Sequence, residues 1–191
     1  TEEIEAIVKI GKDYDLQVAA HAHGDEGMQR AIKAGVKTIE HGTLMSEETA
    51  DLMIKYDTYY IPTLSAGKYV ADKALIKGYY PEVIVPKALE IGPQLQKTFA
   101  MAYNKGVPIA FGTDAGVFPH GENAKEFVYM VEAGMSPLEA IKSATLISAQ
   151  ILKAEQDLGQ IATGFKADII AVDSDPLDDI STLTDVSFIM K

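Results

Sequence analysis

The chain has 191 residues, of which 47% are hydrophobic, 24% charged and 8% aromatic; these values fit a folded globular domain and exclude collagen-like or disordered composition. Seventeen basic residues against 28 acidic ones give a net charge of −11, which argues against a nucleic-acid or anionic-membrane surface, because both reward a basic patch. The absence of cysteine excludes disulfide scaffolds, thiolate zinc sites and thiol nucleophiles, and is compatible with either redox compartment.

The first residues, Thr1-Glu2-Glu3-Ile4, are acidic and amphipathic and do not read as a signal peptide. Ile4, Ile7 and Val8 recur at helical spacing. No run of about 18 apolar residues suggests a membrane span. Leu16 to His23 predicts a buried strand, and Glu26 to Ala34 a helix closed by Gly35. Val36 to His41 predicts the next strand. Ser46 then caps a helix over Glu47 to Lys55, with Glu47, Glu48 and Asp51 early in it, where the helix dipole favours acids. Thr58 to Leu64 is β-branched and aromatic, a strand with Pro62 near its end. Two helices follow over Lys68–Ile76 and Pro86–Asn104, broken by Gly78, Pro81 and the Gly92-Pro93 pair. Val107 to Asp114 predicts a further strand and Glu122 to Ala133 a helix. Ser136-Pro137-Leu138-Glu139 is a capping box opening a helix to about Ala154. Beyond Leu158-Gly159 the pattern becomes short strands at Gln160-Ile161, Ala167–Val172 and Val186–Met190.

The order βαβαβαβα implies parallel strands with right-handed crossovers, and strands apolar on both sides predict a sheet covered on both faces. His21, His23 and His41 fall at the C-terminal ends of predicted strands, and Asp114 at the end of another. Active sites of α/β barrels and of open parallel sheets are built along that edge. Imidazoles and a carboxylate converging there suit zinc or a similar ion. His21 and His23, two apart on one strand, share a face. Asp114 could bind the metal and also accept a proton from water activated by it. Each residue taken singly also has a structural reading, as a hydrogen-bonded strand-end histidine or a helix cap; the shared edge is what favours a site.

Ala20-His21-Ala22-His23-Gly24, Ile39-Glu40-His41-Gly42 and Ala110-Phe111-Gly112-Thr113-Asp114-Ala115-Gly116, in this order, resemble the metal-dependent amidohydrolase superfamily, in particular its imidazolonepropionase-like and prolidase-like (Xaa-Pro dipeptidase-type) branch. Phe118-Pro119-His120-Gly121, Glu132 to Ile141, and Leu158-Gly159-Gln160-Ile161 with Gly164 to Asp168 agree with it. The resemblance implies an α/β fold: the C-terminal half of a (β/α)8 TIM barrel, strands five to eight, over residues 1–157, with part of a small β domain over 158–191. It implies His21 and His41 as ligands of a divalent metal, zinc by preference, with one or two ions in the complete site. Asp114 becomes both ligand and general base. His23, His120 and Tyr60 are expected to contact substrate, with Thr63 a weaker pocket candidate.

The family's first-strand His-x-His pair and its fourth-strand bridging ligand have no counterpart here, and a complete barrel needs about 250 residues. The chain is therefore expected to be a piece of a longer protein. Its parent is expected to be a homo-oligomeric hydrolase cleaving amide or peptide C–N bonds in a dipeptide or other small molecule, with no nucleic-acid or membrane partner. An imidazolonepropionase-like cyclic-amide hydrolase is the alternative substrate reading. A non-catalytic metal-binding or truncated domain is the alternative class. A nucleotide-binding doubly wound domain ranks below both, because no glycine-rich phosphate loop follows a strand.

Overall fold

The computed structural model describes residues 1–191. It opens with α1 (Glu2–Asp13), whose first turn carries Glu2, Glu3 and Glu5 against the helix dipole and whose Val8 and Gly11 are buried. Then come β1 (Ala19–Ala22), α2 (Asp25–Ala34), β2 (Thr38–His41), α3 (Glu47–Tyr56) and β3 (Tyr59–Ile61). Gly35 closes α2 in the left-handed region, and the Ser46 hydroxyl caps α3 by accepting from the Thr49 N–H, both as the sequence predicts. β1, β2 and β3 pair in parallel in that order. The strand predicted over Val107–Asp114 reduces to one parallel bridge, Ile109 beside Tyr60, tied by the Tyr60 N–H to the Pro108 carbonyl and the Ala110 N–H to the Tyr60 carbonyl. Pro108 has no N–H to give a ladder, and Phe111 turns its own N–H to the Ser143 carbonyl instead.

The register sorts the two faces. Ala20, Ile39, Tyr60 and Ile109 lie on one side, which packs on Met28 and Ile32 of α2 and Met53 of α3 in one buried core. His21, Glu40 and Ile61 share the other side. Ile61 there fills the space over Gly112, where any Cβ would come within 2.3 Å of its Cγ2. The expectation of a sheet covered on both faces is met only on the helix side: in β1, Ala19 and His21 are exposed.

The connection after β3 departs from the sequence reading. Helix α4 (Leu64–Ala74) begins four residues earlier than predicted, and α5 (Val85–Lys105) runs unbroken through Gly92-Pro93. The pair sits where α5 crosses α4. A Cβ at Gly92 would lie 3.0 Å from the Ala71 Cβ and 3.1 Å from the Gly67 carbonyl oxygen, so glycine here permits a close crossing instead of ending a helix. No helix is long and apolar enough to cross a membrane.

Helix α6 (Lys125–Glu132) precedes α7 (Pro137–Lys142), which passes through a π turn over Ser143–Ile147 into α8 (Ser148–Ile151). Ser136 and Glu139 form the predicted capping box. The last segment pairs β4 (Ile169–Ala171) with β5 (Phe188–Met190) antiparallel. Between them a 3-10 turn over Ile180–Thr184 buries Ile180 and Leu183. Gln160-Ile161 forms no strand.

Candidate metal centre

His21, His23 and His41 each offer a ring nitrogen, and these atoms all lie within 4.8 Å of one another. Ring centroids are 4.4 Å apart for His21–His41, 4.7 Å for His21–His23 and 5.0 Å for His23–His41. His21 reaches the site by simple alternation. His41 does not: in an extended strand it would follow the face of fully buried Ile39. Its φ of 70° takes it out of that alternation and brings its ring to His21. This unusual backbone is held from both sides. The fully buried Tyr60 donates its hydroxyl to the His41 carbonyl at 2.8 Å. Gly42 follows at φ 59°, and a Cβ there would lie 2.7 Å from the Tyr60 ring.

Two threonine hydroxyls fix the rings. His41 Nδ1 is 2.7 Å from Thr63 Oγ1, and His23 Nδ1 is 2.8 Å from Thr43 Oγ1. Thr43 is anchored in turn, its carbonyl accepting from the Thr98 hydroxyl of α5 at 2.7 Å. With both Nδ1 atoms engaged, the Nε2 atoms of these rings are left to face a ligand. Burial pushes the His41 imidazole down to about 4, and the adjacent His21 and His23 push in the same direction. Burial lowers His23 as well, followed by His21 and Lys87. Both rings are thus held neutral near pH 7, the form that binds a metal.

The amidohydrolase sequence profile matches residues 1–191. The chain belongs to the amidohydrolase family. A solved Xaa-Pro dipeptidase with methionine bound in its active site is 56% identical, at a TM-score of 0.96 over all of this chain and 47% of that one. A prolidase solved with N-methylphosphonate-L-proline is 32% identical, at a TM-score of 0.88 over 99% of this chain and 47% of that one. Ochratoxinase from Aspergillus niger is 36% identical over 184 residues, 94% of this chain and 37% of that protein. The chain therefore spans less than half the length of these relatives, and its likeness to prolidases agrees with the branch read from the motifs.

Within this amidohydrolase chain the expected site residues separate. His21 and His41 come together as expected, and His23 joins them as closely, its ligand atom within 4.8 Å of theirs. Asp114 stands outside the trio, exposed, at φ 56°, and close enough for its charge to be felt at His41 and Glu40. His120 lies exposed on the turn after it, and nothing in the structure brings it to the trio. Tyr60 corrects its expectation: fully buried, with its hydroxyl given to the His41 backbone carbonyl, it has no surface for a substrate.

Three residues escaped the sequence reading. Glu40 is the register partner of His21, and burial raises its carboxyl, opposed by the Thr38 hydroxyl and reinforced by Asp114. The one available signal was its place before His41 on a strand. Thr43 and Glu126 carried no signal: one follows Gly42 and the other lies inside the helix predicted over Glu122 to Ala133, and neither position points to a site.

Proposed function

We propose that the chain is the C-terminal half of a (β/α)8 barrel, strands five to eight over residues 1–157, with residues 158–191 contributing part of a small β domain, in a metal-dependent hydrolase that cleaves the amide bond of dipeptides. The histidine trio carries this reading. Three imidazoles with their ligand atoms within 4.8 Å of one another suit a divalent ion of zinc type better than they suit packing. The parallel order of β1, β2, β3 and the Ile109 bridge supports the half-barrel, as does coverage of 47% of the solved relatives.

His21 and His41 would hold the ion, with Asp114 approaching from the end of the fourth strand position. When bound, the ion would supply Lewis-acid polarisation of the scissile carbonyl and an acidified water. Asp114, exposed at the mouth, takes the proton from the attacking water and returns it to the departing nitrogen. Thr63 keeps the His41 ring oriented. His23 and His120 are the candidate contacts to substrate. The identity of 56% with a Xaa-Pro dipeptidase supports a dipeptide as substrate.

The test is elemental analysis of the complete protein, purified without chelator, alongside dipeptide turnover. Near-stoichiometric metal is expected, lost in His21→Ala and His41→Ala. Asp114→Asn is expected to lower kcat by about 10²–10⁴-fold, the usual worth of a positioned acid–base group. Unchanged metal content in both histidine variants would overturn the ligand assignment. Metal retained without turnover of any dipeptide would favour a binding role for the site.

A further inference from the structure

We propose that Glu126 is a positioning residue for the centre: by capping α4 from a distant helix, it frees the Thr63 hydroxyl to hold the His41 ring. This rests on the reading of His41 as a metal ligand. Thr63 stands at the N-cap position of α4, where a threonine normally accepts from the N–H two or three residues on. Here it makes no such bond. Its backbone is left-handed, φ 52° and ψ 46°, and its Oγ1 lies 2.7 Å from His41 Nδ1. The orphaned amides of α4 are met instead by Glu126 of α6, more than 60 residues later. Its Oε1 accepts from the Leu64 N–H at 2.8 Å and its Oε2 from the Ser65 N–H at 2.7 Å.

Both oxygens are used and the residue is fully buried, so the carboxylate clamps two successive peptide groups directly after Thr63. A β-branched residue in the left-handed region is disfavoured and persists only where its surroundings fix it. The clamp supplies that restraint. The consequence is chemical. For His41 to offer Nε2 to a metal, Nδ1 must carry the proton, and the Thr63 oxygen is then its acceptor. A cap made by Thr63 itself would set an α4 N–H in competition with His41 Nδ1 for the same Oγ1. Burying a carboxylate is costly, and burial pushes this one up to about 7. A local Thr or Ser cap would have served the helix without that cost.

The experiment uses the complete protein and zinc as probe, measured by competition with a chromophoric chelator. Thr63→Val and Glu126→Gln are each expected to weaken zinc binding by about 10–100-fold, as loss of groups that orient a ligand does. Thr63→Ser, which keeps the hydroxyl, restores it. Because Glu126 acts through Thr63, the double variant should bind zinc no more weakly than the weaker single one. In the metal-free protein the His41 Nδ1–H resonance is expected to be protected from exchange in the wild type and lost in Glu126→Gln. A folded Glu126→Gln with unchanged zinc affinity and unchanged resonance overturns the inference, and so do additive penalties. If Glu126→Gln does not fold, Glu126→Asp shortens the clamp by one methylene and is judged by the same two readouts. His41→Ala separates the two claims. Retained zinc there refutes the ligand reading itself, whereas zinc lost there but kept in Glu126→Gln refutes only the role of Glu126.

Discussion

Tyr60→Phe removes a single oxygen and separates two roles for one side chain, substrate contact and support of a histidine. The hydroxyl is fully buried and donates to the His41 carbonyl at 2.8 Å. Its loss leaves that carbonyl short of a partner where water cannot replace it, a cost of about 1–2 kcal/mol. The ring remains against Gly42, so packing is preserved and the effect belongs to the hydrogen bond. Burial drives the Tyr60 phenol well above its ordinary range, so it stays a donor at every accessible pH. The loss should therefore be the same at pH 6 and pH 9. Urea denaturation in the presence of chelator measures it as a lowered midpoint at constant slope. Zinc affinity should fall as well, because the left-handed His41 backbone loses one of its restraints. Substrate KM in the metal-saturated enzyme should not move. Stability within about 0.5 kcal/mol of wild type, the range of an inert substitution, combined with a raised KM, would refute this reasoning and restore Tyr60 to the substrate pocket.

Gly42→Ala places a Cβ 2.7 Å from the Tyr60 ring and 3.1 Å from the Met45 Cε at φ 59°, so overpacking and left-handed strain together should cost about 2–5 kcal/mol by denaturant titration; a loss below about 1 kcal/mol would show that the turn can relax. The Glu126 carboxyl, raised from 4.5 to about 7 by burial, binds its proton more tightly folded than unfolded. Stability from this group is thus full below pH 4.5 and declines as pH rises through 7, by about 3 kcal/mol at 1.36 kcal/mol per unit. Tyr60, the titratable side chain facing it, stays protonated across this window. The stability difference between wild type and Glu126→Gln should shrink accordingly between pH 4.5 and 7.5, and a flat or rising difference would mean that the two amide bonds outweigh burial. Asp25 joins two helices by accepting from the Ser46 N–H at 2.8 Å, the Ser46 hydroxyl at 3.0 Å and the Thr49 hydroxyl at 2.7 Å. Asp25→Ala leaves the fully buried Thr49 without its acceptor and should lower stability by about 2–3 kcal/mol, again by denaturant titration; no measurable loss would show that water replaces the carboxylate.

Local rules made part of this fold legible and failed at identifiable places. Gly35, Ser46 and the Ser136–Glu139 box act over three or four residues, and each marks a helix end where expected. Gly92-Pro93 reads as a breaker by the same rules, but the close approach of α4 supplies a contact that those rules do not contain. The motif around His21, His41 and Asp114 gave the family and the sheet edge. Period-two reasoning does not by itself bring His41 to His21, because the register pairs His41 with Ala22 and leaves it on the face of Ile39. Only the left-handed turn at His41 completes the trio. Tyr60 was misread for a related reason: its position near a strand end suggested the mouth of the site, whereas its register puts it on the helix side.

The positive φ angles show where the fold spends its stability. Six residues other than glycine adopt them. Asp15 and Asp57 follow helices, where a short polar side chain takes the left-handed region with little cost. His41, Thr63 and Asp114 instead stand at or just beyond the ends of three successive strand positions along one sheet edge. Each such residue costs on the order of 1–3 kcal/mol, so chance accumulation in one place is poorly explained by stability. The restraints are specific to each: the Tyr60 hydroxyl for His41, the Glu126 clamp for Thr63, and for the Asp114 turn the Asn123 amide donating to the Thr113 hydroxyl at 3.1 Å. All three restraining groups come from elements that bear none of the candidate ligands. The strain and its supports are therefore separate parts of one arrangement, in which the buried Tyr60 and Glu126 and the half-buried Asn123 hold strand ends in conformations that strands alone would abandon.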